Sequence, residues 1–224
     1  MIKNISNLGD AAVYCDFGND VNKLVNSKVI KYFKTIKKNN FEGINNLTPS
    51  YNKLIISFDL NKTSFKQVKN YIENINLKDS QNIHSKKLEI PVCCDENFSI
   101  DIKRLEKILK LSREKILEKF LNKEYFCYMT GFIAGMPFLG DLDENMRAQR
   151  LETPRVKVPK GSVALTEQFA NIYTFESPGG WNIIGNTPII IFDSSKENNP
   201  NLVNPGDEVI FEQITRDQYN NYNE

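Results

Sequence analysis

The sequence has little histidine: His84 is the single one among 224 residues. With no second histidine, and with His84 in a polar segment, we expect neither a zinc site nor a Ser-His triad and predict no metal ligand set. A Cys-x-x-Cys knuckle is also missing. The four cysteines, Cys15, Cys93, Cys94 and Cys127, lie in apolar, strand-like surroundings and are predicted to be reduced and buried.

Long apolar runs and an excess of charge are missing as well. No run approaches the roughly 18 apolar residues that span a bilayer, and the N-terminus has no apolar core of signal-peptide length. The formal net charge of +1 gives no electrostatic basis for binding nucleic acid or an anionic membrane. We therefore expect a cytoplasmic protein without nucleic-acid or membrane partners, which fits a content of 40% hydrophobic and 25% charged residues.

The first part of the chain predicts a small α+β domain, residues 1–87. Residues 11–17 and 53–58 have the β-branched and aromatic content of strands, and residues 21–38 and 64–75 have the apolar period of amphipathic helices. Ser64 is in place to cap the second helix. The polar residues 77–87 are interpreted as a linker that contains His84.

The second part, residues 88–224, predicts a barrel with a leading helix pair. A strand at 88–94 precedes two helices, at 99–109 and 112–120, which each begin with serine. Short apolar runs separated by Gly/Pro turns then favour a closed or nearly closed barrel; they cover residues 125–129, 162–165, 170–175, 181–184, 189–192 and 208–214. The polar tail 219–224 is predicted to be frayed. The predicted fold class is therefore α+β.

Glycine and proline concentrate in residues 128–193. The glycine-rich segment 131–140 lacks the Gly-Lys-Ser/Thr ending of a P-loop and the Gly-x-Gly-x-x-Gly spacing of a dinucleotide fold. Such clusters specify loop shape, since glycine permits positive φ and proline fixes φ.

The motifs in this region resemble a known family. They are Tyr-Met-Thr-Gly-Phe at 128–132, Gly-Met-Pro-Phe-Leu-Gly at 135–140, Pro-Lys-Gly-Ser at 159–162, Ser-Pro-Gly-Gly-Trp at 177–181 and Pro-Gly-Asp at 205–207. In this order they resemble the B-subunit family of bacterial 5-oxoprolinase, also called allophanate hydrolase subunit 1 or sporulation kinase inhibitor. They also resemble part of the carboxyltransferase domain of urea carboxylase.

The resemblance implies a cyclophilin-like barrel that works with an A subunit and with a C subunit of related barrel fold. Its implied activity is the ATP-dependent opening of 5-oxo-L-proline, a cyclic amide, to L-glutamate. ATP, with or without Mg²⁺, is the implied cofactor, at a site on a partner protein or shared with one. This chain departs from the family at the Phe120 region, where a histidine is usual, and at Glu167 and Thr174.

Lactam opening implies a site for phosphate oxygens and a substrate carboxylate. Arginine binds both through a planar fork, and glycine turns expose backbone amides. We predict Arg155 as the catalytic residue. The predicted substrate- and phosphate-binding residues are Gly131, Phe132, Gly135, Arg150, Lys160, Gly161, Pro178, Gly179, Gly180 and Trp181.

Each candidate has a structural alternative. Arg150 and Arg155 could pair with Glu152 or Asp143 on the surface, where ion pairs contribute little. Gly179 and Gly180 could form only a hairpin turn, and Trp181 could serve core packing. Phe132 and Phe138 could be lid residues, barrel plugs or part of an interface with a partner.

Three functional alternatives also stay open. The chain could be a non-catalytic binding module that regulates a kinase. It could belong to a system that hydrolyses allophanate or another urea-derived amide. A role in carboxyl transfer would need other proteins, because the chain lacks a Met-Lys-Met biotin attachment site.

Overall fold

The computed structural model of the chain describes residues 2–77, 85–197 and 199–222, and it divides into two compact units, residues 1–85 and 86–224. His84 and most of the predicted linker lie outside the described residues. Each unit has its own apolar cluster of buried residues.

The first unit is an antiparallel sheet with two helices. Its elements are β1 (Asn4–Asn7), β2 (Ala12–Asp16), α1 (Lys23–Asn39), β3 (Ile44–Pro49), β4 (Lys53–Phe58) and α2 (Phe65–Glu73), with the sheet order β1-β2-β4-β3. Helix α1 begins after Asn22, whose side chain accepts a hydrogen bond from the Val25 amide, and ends at Asn40 in the left-handed region. Ser64 caps α2 as predicted.

The second unit is a closed barrel with attached helices. Its elements are β5 (Lys87–Cys93), α3 (Ile102–Leu109), α4 (Arg113–Leu121), β6 (Glu124–Thr130), β7 (Pro137–Gly140), β8 (Arg155–Val158), β9 (Ser162–Thr166), β10 (Phe169–Ile172), β11 (Ser177–Gly179), β12 (Asn182–Asn186), β13 (Glu208–Ile214) and α5 (Arg216–Asn220). The barrel order is β10-β7-β6-β13-β5-β12-β9, and β11 pairs with β8 in a separate ribbon. The predicted α+β fold with a cyclophilin-like barrel is confirmed.

The apolar core of the barrel is formed by one face of each strand and by the two attached helices. Strands β5 and β13 run parallel, and the other barrel pairs run antiparallel. One face of each strand contributes to a core that also takes Leu105 from α3 and Phe120 from α4. Phe120 packs between the rings of Tyr125 and Phe211, with ring centroids 5.2 and 5.1 Å away. It therefore has a packing role in this chain.

Three predictions about elements were wrong. Residues 189–192 form no strand, because Ile191 turns into the core while Phe192 packs on Phe175 and makes only a single bridge to Asn201. Helix α3 starts at Ile102, since the Ser99 hydroxyl donates back to the Cys94 and Asp95 carbonyls.

The third concerns the tail, residues 219–224, which was predicted to be frayed: residues 219 and 220 are helical, and residues 223 and 224 lie outside the described part of the chain. Helix α5 includes Tyr219, whose hydroxyl donates to Asn186 and whose ring packs on Phe98. The four cysteines are free and buried, as predicted.

Candidate functional site

Several of the predicted site residues lie beside one row of residues on the outer face of the barrel. Phe138 in β7, Asn171 in β10, Ala164 in β9 and Ile183 in β12 are register partners across four neighbouring strands. Side chains alternate along a strand, so this row lies on the face opposite the barrel core. A second apolar cluster covers it. We call this the outer-face cluster; its buried members are Met136, Val158, Ala164, Tyr173 and Ile183.

Tyr173 is the centre of this region and is 1% exposed. Burial raises the pKa of its hydroxyl, whereas the Asn171 amide, the backbone N–H of Trp181 and the charges of Arg150 and Arg155 act in the opposite direction. The phenol is therefore neutral near pH 7 and able to donate a hydrogen bond. We call the group formed by Asn171, Tyr173, Gly179, Trp181 and the two arginines the Tyr173 site.

The Tyr173 side chain packs directly against Gly179, in space that a side chain at position 179 would fill. A Cβ at Gly179 would lie 2.7 Å from Cζ of Tyr173 and nearer still to its hydroxyl. Gly179 stands opposite Arg155 in the β8–β11 ribbon, so it is part of a strand and not the tip of a hairpin. Trp181 follows this ribbon and meets the Phe138 ring edge-on, with centroids 5.6 Å apart. Pro178 is exposed in the same ribbon.

Arg155 is held by a carboxylate that sequence reasoning did not identify. Its Nη2 lies 2.5 Å from Oδ1 of Asp101, and Oδ2 of Asp101 accepts a hydrogen bond of 2.7 Å from the Ile183 amide. Asp101 is 5% exposed, so this ion pair is more sheltered than a surface pair. Arg155 does not pair with Asp143, one of its two expected surface partners, because Asp143 pairs with Lys123.

Arg150 approaches the same region from the segment before β8. Its Nε lies 3.5 Å from the position that a Cβ of Gly180 would take, and the Leu151 amide donates to the Gly180 carbonyl at 2.7 Å. The side chain is exposed. None of the ion pairs found among the described residues involves Arg150.

The glycine-rich loop, residues 131–136, borders the Tyr173 site. Phe132 is 72% exposed with φ at 69°. Gly135 has φ at 70°, and a Cβ there would also clash with the Phe192 side chain, so both the backbone and the space favour glycine. The Gly131 amide donates to the Met136 carbonyl at 3.0 Å, so it does not face a ligand. The Thr174 hydroxyl donates to the Ala134 carbonyl at 2.6 Å and fastens the loop beside Tyr173.

Lys160 and Gly161 do not join the other candidates through their backbone. The Gly161 amide donates to the Tyr173 carbonyl at 2.7 Å, and the Lys160 carbonyl accepts from the Asn186 side chain at 3.0 Å. A Cβ at Gly161 would lie 2.5 Å from the Thr187 carbonyl. This glycine therefore serves a close approach of β12 to the turn before β9.

Sequence reasoning missed Asp101, Asn171 and Tyr173 as members of the site. Tyr173 precedes the Ser-Pro-Gly-Gly-Trp motif by only a few residues, and Asn171 is the one polar position within the strand Phe169–Ile172. Both were visible signals. Asp101 carried none, because its pairing with Arg155 joins residues 54 positions apart.

Comparison with known proteins agrees with this architecture. The sequence matches the family described as carboxyltransferase domain, subdomain C and D, over residues 3–203. It is 32% identical to the B subunit of 5-oxoprolinase from Bacillus subtilis, over 98% of this chain and 96% of that protein. The chain therefore belongs to the carboxyltransferase-domain family and, within it, to the B-subunit family of 5-oxoprolinase.

Two solved structures share the fold. The crystal structure of TTHA0988 is similar with a TM-score of 0.82 at 27% identity, over 91% of this chain and 40% of that chain. The urea carboxylase of Kluyveromyces lactis is similar with a TM-score of 0.76 at 16% identity, over 96% of this chain and 22% of that chain. This chain thus spans less than half of either protein.

Within the described residues, no helix combines the length and apolar character that a membrane span requires.

Proposed function

We propose that the chain is the B subunit of an ATP-dependent 5-oxoprolinase, in which it works with the A and C subunits to open 5-oxo-L-proline to L-glutamate. Support comes from family membership and from relatives in three bacteria that carry the name of the 5-oxoprolinase B subunit. The observation that carries the proposal is the placement of two arginines around the buried Tyr173: Arg150 lies against Gly180, and Arg155, opposite Gly179 in the ribbon, is paired with Asp101. The two guanidinium groups can bind a carboxylate, and the neutral Tyr173 hydroxyl can donate a hydrogen bond to an amide oxygen, so the site suits a small amide that carries a carboxylate.

Arg150 and Arg155 have different tasks in this proposal. Arg150 is exposed and meets the substrate carboxylate. Arg155, fixed by Asp101, places a positive charge where negative charge develops on the amide oxygen, a contribution that preorganisation makes effective. Tyr173 donates a hydrogen bond to the same oxygen.

Two of the predicted glycine amides are engaged within the chain and do not face a phosphate. The amides of Gly131 and Gly161 already donate to the Met136 and Tyr173 carbonyls. When bound, ATP would supply activation of the amide oxygen by phosphorylation. We therefore assign ATP to a partner protein or to a surface completed by one, and we assign substrate positioning to this chain.

The test is ATP-dependent glutamate formation from 5-oxo-L-proline, with this chain reconstituted with its candidate A and C subunits. Activity is expected only in the complete mixture. The Arg155→Ala variant should lower kcat by about a hundredfold or more, because it removes an electrostatic group at the reacting amide. Full activity without this chain, or unchanged turnover of the variant, would contradict the proposal.

Two controls make the Arg155 result interpretable. Lys157→Ala removes a charge from the same strand, but Lys157 pairs with Glu176 at the surface and should leave turnover unchanged. Arg155→Ala also leaves Asp101 buried without its cation, so the free energy of unfolding and the assembly of the complex are measured alongside. The turnover of Arg155→Ala tests the role of Arg155 in the reaction only if the variant folds and assembles into the complex.

A non-catalytic binding role is the second candidate. The exposed Phe132 ring, held out by a left-handed backbone, favours it because aromatic side chains anchor protein interfaces. A stable complex that forms no glutamate, and that Phe132→Ala but not Arg155→Ala weakens, would support this role instead.

A further inference from the structure

Asn171 is a buried side chain with little of its hydrogen-bonding capacity used. It is 0% exposed, and neither its amide nitrogen nor its amide oxygen forms a hydrogen bond of normal geometry. The Tyr173 hydroxyl is close enough to this amide to interact with it weakly, since the amide lowers the pKa of the phenol, and the remaining capacity of both amide atoms has no partner. Buried polar groups in folded proteins are nearly always paired, so this amide needs an explanation.

The β8–β11 ribbon, which packs against Tyr173 at Gly179, contains further buried polar atoms without a partner. They are Nη1 of Arg155 in β8 and Oγ of Ser177 in β11. On the sheet, Asn171 stands between Phe138 and Ala164, which carry no polar side-chain atoms. The row thus offers one amide in an apolar strip, with the Tyr173 hydroxyl close to it.

We infer that Asn171 recognises the amide edge of a cyclic amide. A side-chain amide presents an N–H donor and a C=O acceptor side by side. A lactam ring forces its own amide into the cis form, so its N–H and C=O also lie side by side. Two parallel hydrogen bonds can then form, from the lactam N–H to Oδ1 and from Nδ2 to the lactam oxygen.

This pairing selects for a class of substrate. An open-chain secondary amide is trans and turns its N–H and C=O to opposite sides, so it can satisfy only one of the two atoms. A lactone has no N–H and sets an oxygen lone pair against Oδ1. The inference rests on the proposed function, to which it adds the residue that distinguishes a lactam from these relatives.

Access to Asn171 requires its cover to move. Met136 of the glycine-rich loop belongs to the outer-face cluster, and Ile133 packs against it. The loop is fastened by the Thr174 hydroxyl and by the packing of Gly135 on Phe192. In this inference the loop is the part of the cover that opens for a small ligand.

Trp181 supplies the measurement, because it is the single tryptophan of the chain and lies against Phe138 in the same row. Its fluorescence is titrated in the full chain, alone and with the A and C subunits. The probes are 5-oxo-L-proline and the lactone with the same ring and carboxylate. We expect the lactam to bind about tenfold more tightly or better, since a missing partner leaves a buried polar atom unpaired.

Asn171→Leu is the decisive variant. It has a similar size without polar atoms, so the lactam preference should disappear while the melting temperature stays the same or rises. Thr187→Val removes another buried, unpartnered hydroxyl away from this row and should keep the preference. A lower melting temperature for Asn171→Leu would assign Asn171 to structure and overturn the inference.

The remaining outcomes separate the inference from the proposed function. Equal affinity for lactam and lactone in the unaltered chain, no binding of either probe in any mixture, or a preference that survives Asn171→Leu would each overturn the inference. A preference that depends on Asn171 upholds it even when the complete mixture forms no glutamate, in which case the proposed reaction fails and lactam recognition stands.

Discussion

Adding a methyl group should have different effects at two neighbouring glycines of the Tyr173 site, Gly179 and Gly180. At Gly179 a Cβ would overlap the Tyr173 ring, whereas at Gly180 the nearest atom would lie 3.5 Å away, on the Arg150 guanidinium. We expect Gly179→Ala to lower the free energy of unfolding by about 1–3 kcal/mol, the usual effect of overpacking. Chemical denaturation followed by Trp181 emission measures it.

Gly180→Ala is the matched control for stability. Its new methyl group meets ordinary van der Waals contact only, so the free energy of unfolding should stay within about 0.5 kcal/mol of the unaltered chain. Equal effects of the two substitutions would mean that the ring of Tyr173 does not depend on the missing side chain of Gly179.

At the scale of elements, one hydrogen bond joins the glycine-rich loop to the Tyr173 site. Thr174→Val keeps the shape of the side chain but leaves the Ala134 carbonyl without its donor. We expect a loss of about 1 kcal/mol in the free energy of unfolding. Hydrogen exchange should also be faster at the loop amides, among them Gly131, than in the unaltered chain.

Thr166→Val provides the comparison. The Thr166 hydroxyl donates to the Ala148 carbonyl at 3.1 Å, away from the loop. A similar loss of stability with unchanged exchange in residues 131–136 is expected. If Thr174→Val also left that exchange unchanged, the hydrogen bond to Ala134 would not be what fastens the loop.

Strands and helices that have a clear apolar pattern or an N-capping serine were predictable from the sequence. Strands β4 and β13 have the predicted limits, and Ser64 and Ser112 cap the helices that follow them. Strands β1 and β3 were missed because Asn-rich sequence gives no β signal, and hydrogen bonds from the neighbouring strands define them. Tertiary pairing determines such strands more than their own residues do.

The candidate site was predictable in its loops and not in its centre. The glycines and arginines stood out by composition; Gly179 packs against Tyr173, Arg155 stands opposite Gly179, and Arg150 lies against Gly180. Asp101 was hidden because only the approach of the turn before α3 to β12 places it beside Arg155. The lack of hydrogen-bond partners for the Asn171 amide results from the packing of the folded chain, so no pattern in the sequence indicates it.

At the scale of the whole molecule, each unit contains a complete core. All buried members of the barrel core and the outer-face cluster come from residues 90–211, and those of the first unit come from residues 13–72. A domain with its own core can fold alone. The residues of the Tyr173 site also belong to the second unit.

We therefore expect residues 86–224, expressed alone, to fold with the Trp181 emission maximum of the full chain and to unfold cooperatively in denaturant. The reason is that Trp181, Phe138 and Tyr173 are positioned by strands of this unit, so their environment does not require residues 1–85. The lactam preference tested above should also persist in a folded fragment. A fragment with the red-shifted emission of exposed tryptophan would instead show that the barrel needs the first unit to close.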